Sequence, residues 1–443
     1  MQIEGPGVLV KVLTITTMTV DQGRAVGRVL YVGAWMDVGG AEKFALDALD
    51  QLRHHGIATA IVTTVESEHR WRSSFERRVD ATLDLTTVAS TRRAGALVRF
   101  ARQFDPDVIL VSNSAYLYDL MAYVRRRLPG VAIVDYCHAE QPEWRRGGYP
   151  AMSIRQRRWL SRTLCASAHL REWMIDRGAD AERCDVVRCN VDADYWHRGA
   201  VDPERARACV GASPDSSVVA VVARMDENKR PIVAFDAIAR AAGAVPITAL
   251  FVGSGPLEES LRTHAAATDR VRLEIRAGGP DLVRIAYAAA DVVVLPSSAE
   301  GISLAVYEAM SMGVPVIASD VGGHGELVTA ATGVLIGLSG DVDTDTERFA
   351  RALQALLASN DVRAALGASA RQRVVESFSL PAMGDRLVDS LRRAFPGPGV
   401  GPVASTRSWV RALLSLKVQT ARRSAANVVQ RSQPKSLPKA RRG

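Results

Sequence analysis

Two glutamates with seven residues between them, Glu300 and Glu308, stand in PSSAEGISLAVYEAMSMGVPVIASDVGG (residues 296–323), directly after the apolar run DVVVL. Carboxylates in an otherwise apolar segment need partners. Residues 291–295 read as a buried strand, so Glu300 falls in the loop at its carboxyl end, beside Gly301, whose missing side chain opens the backbone to approach. A helix starting near Ser303 puts Glu308 in its second turn. Helical side chains lean toward the amino end, so Glu308 points back to the mouth that Glu300 occupies. The entry to that helix, Gly301, Ile302, Ser303 and Leu304, offers unpaired N–H groups and positive partial charge, a site for phosphate. Carboxylates touching phosphate would repel it, so the pair is expected to face neutral hydroxyls, and a carboxylate accepts two hydrogen bonds from a vicinal diol. A nucleotide sugar supplies ribose, diphosphate and sugar together.

Other segments offer complementary chemistry at strand ends. ARMDENKRP carries Arg224 and Lys229, cations able to clamp a diphosphate and stabilise the charge that develops as it leaves, although basic residues in a polar loop are also ordinary solvated surface. VGSGP places Gly253 and Gly255 at a strand-to-helix turn, where absent side chains let a backbone approach a ligand; tight turns use glycine for the same reason without one. WMDVGGAEKF puts Gly39 and Gly40 immediately before a helix, with amides directed at phosphate or sugar. His138 ends the strand VAIVDYC and faces a cleft, and the loop it opens, HAEQPEWRRGGYP, mixes aromatic and basic residues suited to an acceptor. The acid run DVDTDTE, with Asp341, Asp343 and Asp345, lacks the sixth-position glycine of a calcium loop and precedes a helix, where acids favour the dipole; it reads as structural.

The elements that must position these residues alternate. RVLYVGAW (28–35) is a first strand, GAEKFALDALDQLRHHG an amphipathic helix closed by Gly56, and ATAIVTTV, PDVILVSNS and VAIVDYCH are further strands. The polar stretch DADYWHRGAVDPERARACVGASPDSS suits a linker, after which VVAVVARM, PITALFVGSGP, RVRLEIRAGG, DVVVLPSS and VPVIASDVGG repeat the pattern. Strands separated by helices argue for parallel sheets covered on both faces, and ligands in such sheets sit beyond the strands' carboxyl ends. The division expected is an extension over 1–27, a Rossmann-like acceptor-side domain over 28–200, a Rossmann-like nucleotide-sugar domain over 216–376, a helix over 377–395 and a basic amphipathic tail over 396–443. The 443 residues, 47% of them hydrophobic, are ample for two such cores.

Five cysteines, odd in number and without CxxC pairs, signal neither a disulfide framework nor a zinc site and point to reduced thiols. No apolar run reaches the length of a bilayer span and the amino terminus lacks a leader pattern, so the expectation is a cytoplasmic protein. The net charge of +8 belongs to the tail: residues 401–443 hold ten Lys or Arg and no acid, leaving 46 basic against 48 acidic elsewhere. On a helical projection Trp409, Leu413 and Leu416 share one side and Arg407, Arg411 and Arg422 the other. That pattern over 405–443 suits docking to an anionic membrane surface, and equally a solvated tail or nonspecific affinity for nucleic acid.

Across roughly residues 28–395 the chain resembles the retaining glycosyltransferases of family 4, of GT-B architecture. EGISLAVYEAMSMGVPVIASDVGG is similar to that family's paired-glutamate signature, and GGAE, ARMDENK, VGSGP and FSL to its weaker blocks. The resemblance implies that Arg224 and Lys229 bind the donor diphosphate, Glu308 the ribose and Glu300 the transferred sugar, with His138 beside the reacting sugar and Gly39 and Gly40 on the amino-terminal side of the donor. It further implies transfer from a nucleotide-diphosphate sugar to a glycan, lipid-linked or small-molecule acceptor with retention of configuration, without cofactor, metal or specific nucleic-acid partner. VRCNVDADYW lacks the glycine of the family's interdomain element, and His324 and Gly325 stand where a proline is common. Two other readings compete: a sugar-nucleotide epimerase on a similar scaffold, and a nucleotide-binding oxidoreductase. The second wants GxGxxG after the first strand, whereas here the turn comes mid-chain with Glu258 at its sixth position.

Overall fold

In a computed structural model, which describes residues 26–395 except 142, 214, 244 and 245, the chain forms two parallel sheets. The first contains β1 (Arg28–Gly33), β2 (Ala58–Thr63), β3 (Ala81–Asp84), β4 (Val108–Ser112), β5 (Ala132–Cys137), β6 (Arg162–Cys165) and β7 (Cys184–Val186), in the order β3-β2-β1-β4-β5-β6-β7. The second contains β8 (Ser217–Val222), β9 (Ile247–Val252), β10 (Val271–Arg276), β11 (Val292–Leu295), β12 (Val316–Ser319) and β13 (Gly333–Ile336), in the order β10-β9-β8-β11-β12-β13. Central strands β4, β5, β9, β11 and β12 are buried along their whole length, which is why they read as continuous apolar runs: helices cover both faces. In each sheet the order reverses once, between β1 and β4 and between β8 and β11, and the crevice beyond such a reversal is where doubly wound sheets bind ligands. This is the expected α/β GT-B arrangement of two Rossmann-like units.

The chain crosses between the units twice. The segment after β7 links the units and is itself packed: Trp196 is buried against Tyr287, residues Pro203–Cys209 are helical, and Arg371 donates to the carbonyls of Trp196 (3.1 Å) and Ser311 (2.5 Å). The return crossing pairs Val191 with Ser379, whose carbonyl also accepts from the Asn190 amide at 2.7 Å. The final helix, Leu380–Ala394, then packs on the first, Gly40–His54, where the missing side chain of Gly384 makes room for Gln51. Glu326 of the second unit accepts from the His169 amide at 3.0 Å and from Arg188 at 2.8 and 2.5 Å. Among the described residues no helix is long and apolar enough to cross a membrane, and all five cysteines are free. The extension before residue 26 and the tail after 395 lie outside the described residues.

The glycines of VGSGP have a structural reason. Gly253 (φ 144°) and Gly255 lie against the backbone of residues 223–225, so a Cβ on either would run into the Ala223 or the Met225 carbonyl; what approaches them is the neighbouring strand-end loop. Met225 is locked there by donating to the Ser254 carbonyl (3.0 Å) and accepting from Leu257 (2.9 Å). Gly253→Ala is therefore expected to cost about 2 to 4 kcal/mol, through left-handed strain plus a clash with backbone. Urea unfolding followed by circular dichroism checks this, and an unchanged midpoint would mean that the loop yields.

Candidate active site

The candidate residues gather at the carboxyl ends of strands at the two reversals or one strand away from them. Gly39 and Gly40 follow β1 and open the Gly40–His54 helix, His138 follows β5, the Arg224–Lys229 loop follows β8, Gly253 follows β9, and Glu300 to Leu304 follow β11. The helix carrying Glu308 runs Leu304–Ser311 with Ser303 at its cap position, as the spacing predicts, and no side chain caps it. The two units meet at these loops: a Cβ on Gly301 would collide with the His138 carbonyl, and one on Gly40 would sit 3.7 Å from Leu304. The turn after β12 packs as tightly, with Gly322 (φ 55°) against the Glu300 carbonyl and Gly323 against Ile302 and Ser167 while donating to the Gly301 carbonyl at 2.6 Å.

Lys229 and Glu300 form an ion pair at 2.5 Å, with the Glu300 side chain only 9% exposed. The loop bearing Lys229 is fixed by its neighbour: Arg230, at φ 51°, places both guanidinium Nη atoms 3.1 Å from the buried Asp345. Asp345 also accepts from Ser339, and Asp341 caps its helix by accepting from the Thr344 amide, so two members of the acid run are structural. Among the described residues no group of three acidic, His or Cys side chains is arranged to hold a metal ion. Arg224 stands apart from the pair: its side chain is 77% exposed and bound to Asp226 at 2.6 Å.

Glu308 lies in the cleft with the Tyr287 hydroxyl 3.3 Å from Oε2 and the Lys43–Asp47 pair of the first unit close enough to act on it. Burial pushes its pKa to about 8, against the pull of Lys43 and Tyr287. At neutral pH with no ligand present it is thus a carboxylic acid, able to donate as well as accept, where the sequence suggested a carboxylate. His138 shares a hydrogen bond with the Ser112 hydroxyl (2.8 Å), packs edge-on to Phe44 and Tyr136, and is held neutral, burial lowering its pKa to about 4. A recess that includes Ser112 is lined by Tyr31, Trp35, Glu42 and Asn113.

Sequence reasoning passed over Lys43, Asp47, Tyr287 and Ser112. Lys43 and Asp47 look like a surface pair four residues apart, and the available signal was that Lys43 directly follows GGAE.

Family comparison divides the chain as the sheets do. A family model described as Glycosyltransferase Family 4 matches residues 38–195, and one described as Glycosyl transferases group 1 matches residues 216–359. The chain is a GT-B glycosyltransferase. A D-inositol 3-phosphate glycosyltransferase of Rhodococcus opacus is 28% identical over 396 residues, covering 81% of this chain and 86% of the relative. The counterpart from Rhodococcus erythropolis is 29% identical over 403 residues, covering 81% and 87%. Among solved structures, Anabaena HepE in complex with UDP and glucose superposes with a TM-score of 0.69 at 18% identity, covering 82% of this chain and 99% of that one, which speaks to fold alone.

The signs of the two shifts give a pH test. Between about 4.5 and 8 folded Glu308 keeps a proton that the unfolded chain has lost, so this residue makes stability fall as pH rises through that window. His138 acts oppositely, its contribution being lost as pH falls from 6.5 toward 4. Melting temperatures of the wild type and Glu308→Gln from about pH 5 to about pH 9 are expected to diverge, the variant gaining as pH rises; parallel curves would mean that Glu308 ionises normally.

Proposed function

We propose that this glycosyltransferase takes its sugar from a nucleoside-diphosphate donor bound in the cleft and transfers it with retention of anomeric configuration. The observation carrying the reading is the convergence of Glu300, Lys229, Glu308 and His138 on one interdomain mouth beside an uncapped helix start. Lys229 and Arg224 stabilise the diphosphate, and the amides of Gly301 to Leu304 face it with the positive end of the helix dipole. Glu308 meets the ribose hydroxyls and Glu300 those of the transferred sugar, while Lys229 is shared between Glu300 and the phosphate. Gly39 and Gly40 border the donor from the first unit. Gly253 and Gly255 act by letting the Arg224 loop lie close to β9.

In the transfer step the bond from the anomeric carbon to the diphosphate oxygen breaks, the electron pair leaving with the diphosphate. The acceptor oxygen bonds the same face of the sugar, and its proton passes to the departing phosphate oxygen. His138 stays neutral throughout the physiological range, so it serves as a hydrogen-bonding wall to the sugar and not as a titrating base. No metal is required, since two cations and the helix start carry the charge. UDP in the HepE complexes and the inositol phosphate named for the relatives suggest a uridine donor and a polyol acceptor. The basic tail suits a membrane-borne acceptor.

Screening nucleotide sugars by thermal shift tests this. A donor at one hundred times its Kd is expected to add about 2.7 kcal/mol to wild-type stability. Glu308→Ala and Lys229→Ala are each expected to lose most of that gain, and full retention in both would remove the assignment.

A further inference from the structure

A second concavity lies on the first unit, at the opposite end of its sheet from the cleft. It occupies about 240 Å³ and is lined by Ser153, Leu160, Thr163 and Cys184 on its buried side and by Arg157, Arg158, Arg162 and Arg183 around them. It opens beside the first residues of β6 and β7, whereas His138 and the glutamates sit beyond strand carboxyl ends, so it is separate from the transfer site. Four arginines face one aspartate in the lining, Asp180, which pairs with Arg183 at 3.2 Å. Ser153 and Thr163 hold their hydroxyls 3.2 Å apart on the buried wall. Arg162, mostly buried, spends two contacts on the Glu182 carbonyl (3.1 Å) and Asp185 (2.9 Å), while its Nε–H has no acceptor among the described residues. That nitrogen is itself shut off from solvent, so the guanidinium groups that reach the concavity are those of the exposed Arg157, Arg158 and Arg183.

We propose that this pocket binds a phosphate-bearing group, either a free phosphorylated small molecule or the headgroup of an anionic lipid. With Asp180 paired to Arg183 and Asp185 to Arg162, the excess is two positive charges, carried by Arg157 and Arg158, which suits a doubly charged phosphate, and planar guanidinium forks match phosphate oxygens. The volume, a little below that of usual ligand pockets, fits a headgroup fragment. Near the end of the described chain Arg393 pairs with Asp185 at 3.0 Å, the carboxylate that also holds Arg162, and ten basic residues follow in sequence over 401–443.

The test uses the full-length protein with glycerol 3-phosphate as probe, titrated by calorimetry against wild type, Arg157→Gln/Arg158→Gln and Lys229→Ala. The two arginines are exposed, so the double variant is expected to fold and to keep its response to nucleotide sugar. Glycerol 3-phosphate is expected to bind wild type and Lys229→Ala alike and the double variant about tenfold more weakly or worse. Co-sedimentation with vesicles of phosphatidylglycerol and phosphatidylcholine in equal parts distinguishes the source. Loss of vesicle binding in the double variant assigns the pocket to lipid headgroups; unchanged vesicle binding with weakened glycerol 3-phosphate binding assigns it to a free phosphate. If wild type binds neither probe, or the double variant binds both as wild type does, the proposal is overturned.

Discussion

The cleft depends on a contact between backbones: Gly301, just beyond β11, lies against the carbonyl of His138, just beyond β5, with no room for a side chain between them. That approach brings together the ends of two sheets that have separate cores. Gly322 and Gly323 press the turn after β12 onto the same loop, and Glu326 ties that turn to His169 and Arg188 across the boundary. Because backbone cannot retreat as a side chain can, the relative placement of Glu300 and His138 is set by the main chain. The Lys229–Glu300 pair then joins the strand ends on either side of the second reversal and is held by the buried Arg230–Asp345 bond behind it.

Electrostatically the cleft holds its two central titratable groups neutral. Desolvation protonates Glu308 and deprotonates His138, so before a donor arrives the deepest part of the mouth carries little charge, and the Lys229–Glu300 pair nearly cancels itself. A diphosphate entering this site meets cations already engaged with carboxylates. Its binding must redistribute those contacts, and the donor's own charge supplies the energy for the exchange. This also explains how two glutamates coexist with a phosphate site: one is neutral and the other is paired.

Much of this was legible in the sequence, for physical reasons. Strands buried on both faces are continuous apolar runs, so most of the sheet read directly. The position of Glu308 in the second turn of a helix set its direction, because that depends on helix geometry, whereas Glu300 lies in the loop before the cap and is held by Lys229. Short strands such as ATLD, RTLC and CDV did not register, being three or four residues with polar members. Residues 192–217 looked like a linker because their composition is polar, yet Trp196 is buried and Arg371 holds its carbonyl from far along the chain. The glycines of VGSGP were read as opening toward a ligand, and it is the loop of Arg224 that fills their space. Contacts between distant segments, such as Lys43 acting on Glu308, leave no periodic trace.

The most direct measurement is the stereochemistry of the transfer itself. Purified enzyme supplied with an α-linked nucleoside-diphosphate sugar and an acceptor should release the nucleoside diphosphate and form a product whose anomeric proton coupling in NMR marks an α linkage. A β-linked product, or a donor isomerised without any acceptor, would contradict the account.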